Sequence, residues 1–241
     1  MMIVMNFKTF LKENLLSFVL MGITAILITV TGILFHQSVI RILPLYISLF
    51  IGLLQSRANR FAPLLGGFNS ILYMIVYLYL GLYASAGYAL LFSCPVQLLT
   101  FVNWSRNRYQ DSTQFRSLTW RQRTYIGVGF TAAVAVLCLI LHTAGSDYSI
   151  LDSLSSLLGI LISLLTMFSF IEYSWLMLPS GIISICLNLA VMAAHPEQIT
   201  YVIFSFYSLI CVTLGFFRVR KLYAEQQTVK NMENSERSKS T

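Results

Sequence analysis

The chain has 241 residues, 57% of them apolar and only 10% charged, with a formal net charge of +7. Soluble domains carry about 25% charged residues and need a largely polar surface, so neither a soluble globular protein nor a disordered one fits this composition. At about 20 residues per crossing, it calls for a polytopic membrane protein, and the continuously apolar runs must be helices because lipid leaves no partner for a free backbone group.

The predicted crossings fall at 15–35, 42–56, 61–82, 85–104, 124–142, 154–172, 174–194 and 199–217. Lys8 and Lys12 precede the first, a pattern shared with signal peptides. Its apolar stretch Leu15–Phe35 is too long for such a segment and has no small-x-small cleavage site, so it reads as a retained helix. The resulting expectation is all-α: an N-terminal part with an extra helix (1–41), a first three-helix repeat (42–104) and a basic loop (105–123). A connecting helix (124–142), a second three-helix repeat (143–221) and a disordered tail (222–241) complete it. A shift of 114 residues aligns Phe61 with Trp175, Gly67 with Gly181, Ser70 with Ser184 and Arg106 with Arg220. Two triplets joined by one helix are parallel repeats, an arrangement found in transporters with a site between the halves.

Orientation follows from Lys and Arg. With eight crossings and an inside N-terminus, fifteen of the sixteen basic residues lie on the cytoplasmic side, Arg41 being the exception. The basic residues lie between apolar runs rather than along one face, so nucleic acid is not a partner. Cys94, Cys138, Cys186 and Cys211 sit in apolar runs as small hydrophobes, and His36, His142 and His195 sit at helix ends. No catalytic motif, metal-ligand spacing or cofactor signature is present, and the chain reads as a non-enzyme without cofactor or metal. None of the nine acids lies in mid-crossing. Coupled pumps keep an ionisable group there, so the expectation is facilitated diffusion.

The crossings do hold uncharged polar and aromatic residues at helical spacing. Gln97, Phe101 and Trp104 share one face, as do Asn69, Tyr73 and Tyr77, and Gly181, Ser184 and Asn188; the last helix adds Tyr207. An amide in lipid must face protein, a cavity or a ligand, and interhelical glue and ligand contact both satisfy it. Trp104 and Trp175 also fit an aromatic belt. Amides with flat rings suit a neutral or weakly charged aromatic solute.

Gly66–Ser70 (G-G-F-N-S) and Cys94–Arg106 (C-P-V-Q-L-L-T-F-V-N-W-S-R), with the three-one-three helix plan, resemble the PnuC family of vitamin-precursor transporters over about residues 43–220. The resemblance implies a multi-pass protein of a bacterial inner membrane, often homotrimeric, similar in plan to SWEET proteins. It implies facilitated uptake of a nucleoside-like vitamin, nicotinamide riboside or thiamine, trapped by a cytoplasmic kinase, with Gln97 and Trp104 at family positions. Where nicotinamide riboside carriers have W-x-x-W, this chain has F-V-N-W, with Phe101 for the first Trp. At the 114-residue shift Asn69 meets Ile183, with Ser184 or Asn188 as substitutes. A reading of another class, a membrane scaffold or sensor docking a partner on Arg106–Arg123, competes with the plain role of that loop as a positive-inside anchor.

Overall fold

The structure, a computed structural model, describes residues 7–79, 89–143 and 149–240. Its helices are α1 (Phe7–Leu34), α2 (Val39–Ser56), α3 (Phe61–Tyr79), α4 (Cys94–Arg106), α5 (Trp120–Thr143), α6 (Ser149–Met167), α7 (Glu172–Ala194) and α8 (Ile199–Ser240). A π turn, Ala89–Ser93, leads into α4, where Pro95 sits in the first turn and its missing N–H leaves no bond unmade. Among the described residues six helices are long and apolar enough to cross a membrane, with a shorter apolar stretch at Phe61–Ile75. The expected crossings 61–82 and 85–104 run into residues 80–88, which lie outside the described residues, as do 144–148 between α5 and α6.

The core helices pack in sequence, α2–α3–α4 and α6–α7–α8, and the two groups meet through α2 with α8 and α4 with α6. The extra helix α1 lies against α8 and α2. Its end is tied down by Gln37, whose Nε2 donates to the Glu197 carbonyl at 2.7 Å and to Thr200 Oγ1 at 3.1 Å. The connecting helix α5 packs on α6 and buries none of its residues. Val128, Val136 and Leu139 of α5, with Ile26 and Ile33 of α1 and Ile182 of α7, stand exposed on the outside. Facing water these would forfeit about 25 cal/mol per Å² of apolar surface; lipid removes that penalty.

Three helix ends share one device. After α1, α2 and α6 the chain turns through a left-handed residue that is not glycine: His36 (φ 48°), Ala58 (φ 50°) and Ser169 (φ 59°). At each, two backbone N–H groups reach back to close the last turn. Ala58 N donates to the Gln55 carbonyl and Asn59 N to that of Leu54, and Ser169 and Phe170 do the same to Thr166 and Leu165. Met167 follows Ser56, Ser169 follows Ala58 and Glu172 follows Phe61, each by 111 residues, so the helix ends recur at a period three residues shorter than the 114 of the sequence alignment.

Two expectations are corrected. The tail after residue 222 is not disordered: α8 runs unbroken to Ser240. At 1.5 Å per residue its 42 residues span about 60 Å, twice the hydrocarbon thickness, so its second half projects from the membrane. The polar stretch carries several Glu, Gln and Lys and follows an existing helix, which avoids the nucleation cost. Gln226 anchors it, accepting from Phe115 N and donating to the Thr113 carbonyl at 2.9 Å each. The basic segment 105–123, expected as a plain charged loop, holds a two-stranded hairpin, Arg108–Tyr109 with Ser112–Thr113, and a bridge from Arg116 to Phe170. It closes over a core of Ala58, Trp104, Phe115, Leu118, Leu165, Tyr173, Val219 and Leu222 at this end of the bundle.

Candidate functional site

Between the two helix groups lie three adjoining cavities of about 130, 250 and 400 Å³. The first, nearest the Arg-rich end, is lined by Gln55, Gln97, Thr100, Trp104, Ser163 and Tyr173 among others. The second, against α2 and α3, has Ser48, Gln55, Asn69, Tyr73, Gln97 and Tyr207 in its wall. The third, against α6 and α7, has Gln55, Tyr73, Ser163, Ser180, Ser184 and Asn188. Shared wall residues set the three side by side. Gln97 belongs to the first two, Tyr73 to the last two, and Gln55 to all three.

The seven residues expected at the site divide into distinct roles. Gln97 is half-buried over Gly66, where a Cβ would overlap its carboxamide, so the absence of a side chain there makes room for the amide. Among the described residues, the Gln97 and Gln55 side chains have no hydrogen-bond partner in the protein, and both face the cavity. Two amides of this kind are free to read a solute. Asn69 is different: its Nδ2 donates to the Pro44 carbonyl at 3.2 Å and to Ser48 Oγ at 2.9 Å, binding α3 to α2. Asn188 is likewise tied, donating to the Ser184 carbonyl and Ser205 Oγ and accepting from Gln198 at 3.0 Å. Tyr207, 2% exposed, donates to the Leu49 carbonyl at 2.7 Å and presents only ring to the space.

Trp104 and Phe101 part company. Trp104 is 3% exposed, its Nε1 donating to the Thr166 carbonyl at 2.8 Å, with Phe115 edge-on at 5.9 Å and Tyr173 at 6.3 Å. Its ring forms part of the cavity wall, but its polar handle belongs to the fold. Phe101 packs on Phe61 at 5.8 Å and is not among the residues that line the three cavities. The cavity face of α4 runs through Gln97, Thr100 and Trp104, at i, i+3 and i+7, and the i+4 position turns away.

Gln55 is inconspicuous in the sequence because it closes a predicted crossing beside Arg57. The available signal was the stripe Ser48, Gly52, Gln55 at i, i+4, i+7, a polar and small face on an otherwise apolar helix. In the 111-residue frame of the helix ends, Gln97 corresponds to Ser208, Trp104 to Gly215, Asn69 to Ser180 and Tyr73 to Ser184, and all eight line the space. The first half supplies the large groups and the second half mostly serines and a glycine. No Lys, Arg, Asp or Glu is among the lining residues of the three cavities. The charged groups gather instead outside, at the Arg-rich end, where Arg123 pairs with Glu172 at 2.7 Å.

Comparison with known proteins gives two findings. A crystal structure of the vitamin B3 transporter PnuC is similar in fold, with a TM-score of 0.69 at 18% identity over 87% of this chain and 92% of that one. Among curated protein sequences none matches. The family model of nicotinamide mononucleotide transporters matches residues 38–221, which take in α2 to the middle of α8 and every residue named in the cavity walls. The chain therefore belongs to the nicotinamide mononucleotide transporter (PnuC) family, and is a multi-pass membrane transporter rather than an enzyme.

Proposed function

We propose that the chain carries an unphosphorylated vitamin B3 nucleoside, nicotinamide riboside, by facilitated diffusion through the space between the two helix groups. The observation that carries this is the cavity wall: two amides without a partner among the described residues, Gln55 and Gln97, beside the Trp104 and Tyr173 rings, with no charged side chain in the lining. A phosphate would enter that wall with no cation to meet it, which favours the riboside over the mononucleotide named by the family. A flat pyridinium instead finds aromatic faces and amide partners. Thiamine, also a flat cation, is the second candidate. The serines of the second half leave room and hydroxyl partners for a ribose.

The two helix groups act as parallel halves related by an axis along the membrane normal, with the solute between them. The basic end, holding both the Arg-rich segment and the projecting end of α8, is cytoplasmic in a bacterial inner membrane, which places both termini inside. Assembly into a homotrimer, as the family resemblance implies, is part of this reading. A cytoplasmic kinase completes uptake by phosphorylating the solute, which the uncharged cavity then no longer accepts. The test is a proteoliposome uptake panel of nicotinamide riboside, nicotinamide mononucleotide, thiamine and riboflavin. The expected result is equilibration of the riboside alone or with thiamine, at initial rates unchanged when proton and sodium gradients are dissipated. Accumulation well above the outside level without kinase would overturn facilitated diffusion. Entry of the mononucleotide as fast as the riboside would overturn the charge argument.

A further inference from the structure

Away from the transport path, a separate cleft of about 630 Å³ opens between α5, α6, α7 and α8 at the Arg-rich end. Its mouth holds Arg123, Arg220, Glu172 and Tyr223; its floor holds Ile126, Phe130, Leu158, Leu161 and Leu176. From Arg123 to Phe130 is seven residues of α5, so the floor descends about 10 Å from the charged level toward the hydrocarbon. One cleft thus combines cations at the membrane surface with an apolar trough beneath them.

The charges at the mouth are unevenly matched. Glu172 is already engaged, its Oε1 accepting from Arg123 at 2.7 Å and from Leu118 N at 3.0 Å. Arg220 lies over the Trp175 ring at 5.1 Å and has no acidic partner among the described residues. The mouth therefore carries one positive charge in excess, held in place by a ring. The trough is bordered by α5, which buries none of its residues and packs on α6, so the trough's other side is open. At Gly127, on its wall, a Cβ would meet nothing within 4 Å.

We propose that this cleft is a binding site for an acidic phospholipid, phosphatidylglycerol being the probe of choice, with the phosphate at Arg220 and Arg123 and an acyl chain along the trough. A soluble anion would use only the mouth, and a neutral lipid only the trough; an anionic amphiphile matches both. The site lies on the outer surface of the bundle, and its occupation does not depend on which solute the central cavity carries.

The experiment uses the full chain purified in detergent. Native mass spectrometry counts bound lipid, and melting temperature is followed on adding phosphatidylglycerol, phosphatidylcholine or soluble glycerol phosphate. Phosphatidylglycerol alone should remain bound and raise the melting temperature. Arg220→Gln should weaken its binding about fivefold, the equivalent of the ~1 kcal/mol a membrane-surface cation contributes. Arg220→Lys should restore most of it. Gly127→Leu, which fills the trough and leaves every charge, should also reduce it. Equal binding of phosphatidylcholine, equal stabilisation by glycerol phosphate, or phosphatidylglycerol binding untouched in Arg220→Gln would each overturn the proposal. So would a stable oligomer that holds no lipid and in which cross-links from a cysteine at position 127 join two copies, because a second chain then fills the cleft. Uptake is not read, so a failed transport assay leaves this result standing.

Discussion

Asn69 and Gln97 look alike in the sequence, two amides inside apolar helices, yet the structure ties one into the protein and leaves the other facing a cavity, and that difference is measurable. Asn69 makes two hydrogen bonds between α3 and α2, and Gln97 makes none within the protein among the described residues. Interhelical bonds in membranes average about 0.6 kcal/mol and buried bonds in general reach about 1.5, so Asn69→Ala should lower stability by roughly 1–3 kcal/mol. Its effect on binding should be small, since the lost donor faces Pro44 and Ser48. For Gln97→Ala the order reverses. A single bond to a bound neutral group contributes about 0.5–1.5 kcal/mol, so apparent affinity should weaken roughly 2- to 13-fold while the melting temperature holds. Gly66→Ala is the third arm. It deletes no polar group but drives a methyl into the Gln97 carboxamide, and should weaken binding in the same direction as Gln97→Ala. Riboside binding and melting temperature, read on the same purified samples, decide the matter. A Gln97→Ala protein that melts early and binds normally would remove Gln97 from the site and make it interhelical glue.

Other consequences follow from single contacts. Trp104→Phe keeps a ring in the cavity wall but loses the bond to the Thr166 carbonyl, which still accepts from Ser169 N; the loss should be about 0.5–1.5 kcal/mol of stability, read by thermal melting. Ala58→Gly removes the strain of a left-handed non-glycine residue and should stabilise by up to about 1 kcal/mol, with a fall in melting temperature as the contrary result. Cysteines placed at the exposed positions Gln114 and Thr228, in a background without the four native ones, should resist an impermeant thiol reagent in intact cells. Labelling of either from outside would reverse the proposed orientation.

The membrane-spanning helices were legible because lipid imposes one rule everywhere: a continuous apolar run must be helical, whatever it packs against. The cytoplasmic-end architecture was not. Hairpin Arg108–Thr113 is polar on both strands, and its ties to the rest of the chain include Gln226, more than a hundred residues away in sequence, and Arg60, whose N donates to the Asp111 carbonyl at 3.0 Å. Local composition holds no record of such clamps. The same holds for the tail, whose polarity suggests disorder although its Glu, Gln, Lys and Arg extend a helix that has already started.

The repeat shows how a small error in register changes a functional reading. At 114 residues, identities such as Gly67 with Gly181 line up, and Asn69 meets Ile183, which leaves only the nearby Ser184 or Asn188 as its polar counterpart in the second half. The left-handed turns at Ala58 and Ser169 set the frame at 111 instead, because a helix end fixes the rotation of the helix that follows it. Three residues are nearly one turn, so both registers keep the same helix face toward the cavity, and periodicity alone could not separate them. In the 111-residue frame Asn69 pairs with Ser180 and Gln97 with Ser208. The polar lining is then present on both sides but large on one and small on the other, and a solute between unequal walls is held in one orientation. That asymmetry requires Ser208→Gln to crowd the cavity rather than complete a symmetric site. Uptake should fall in that variant while the melting temperature holds, and improved affinity would mean that the two halves read the solute alike.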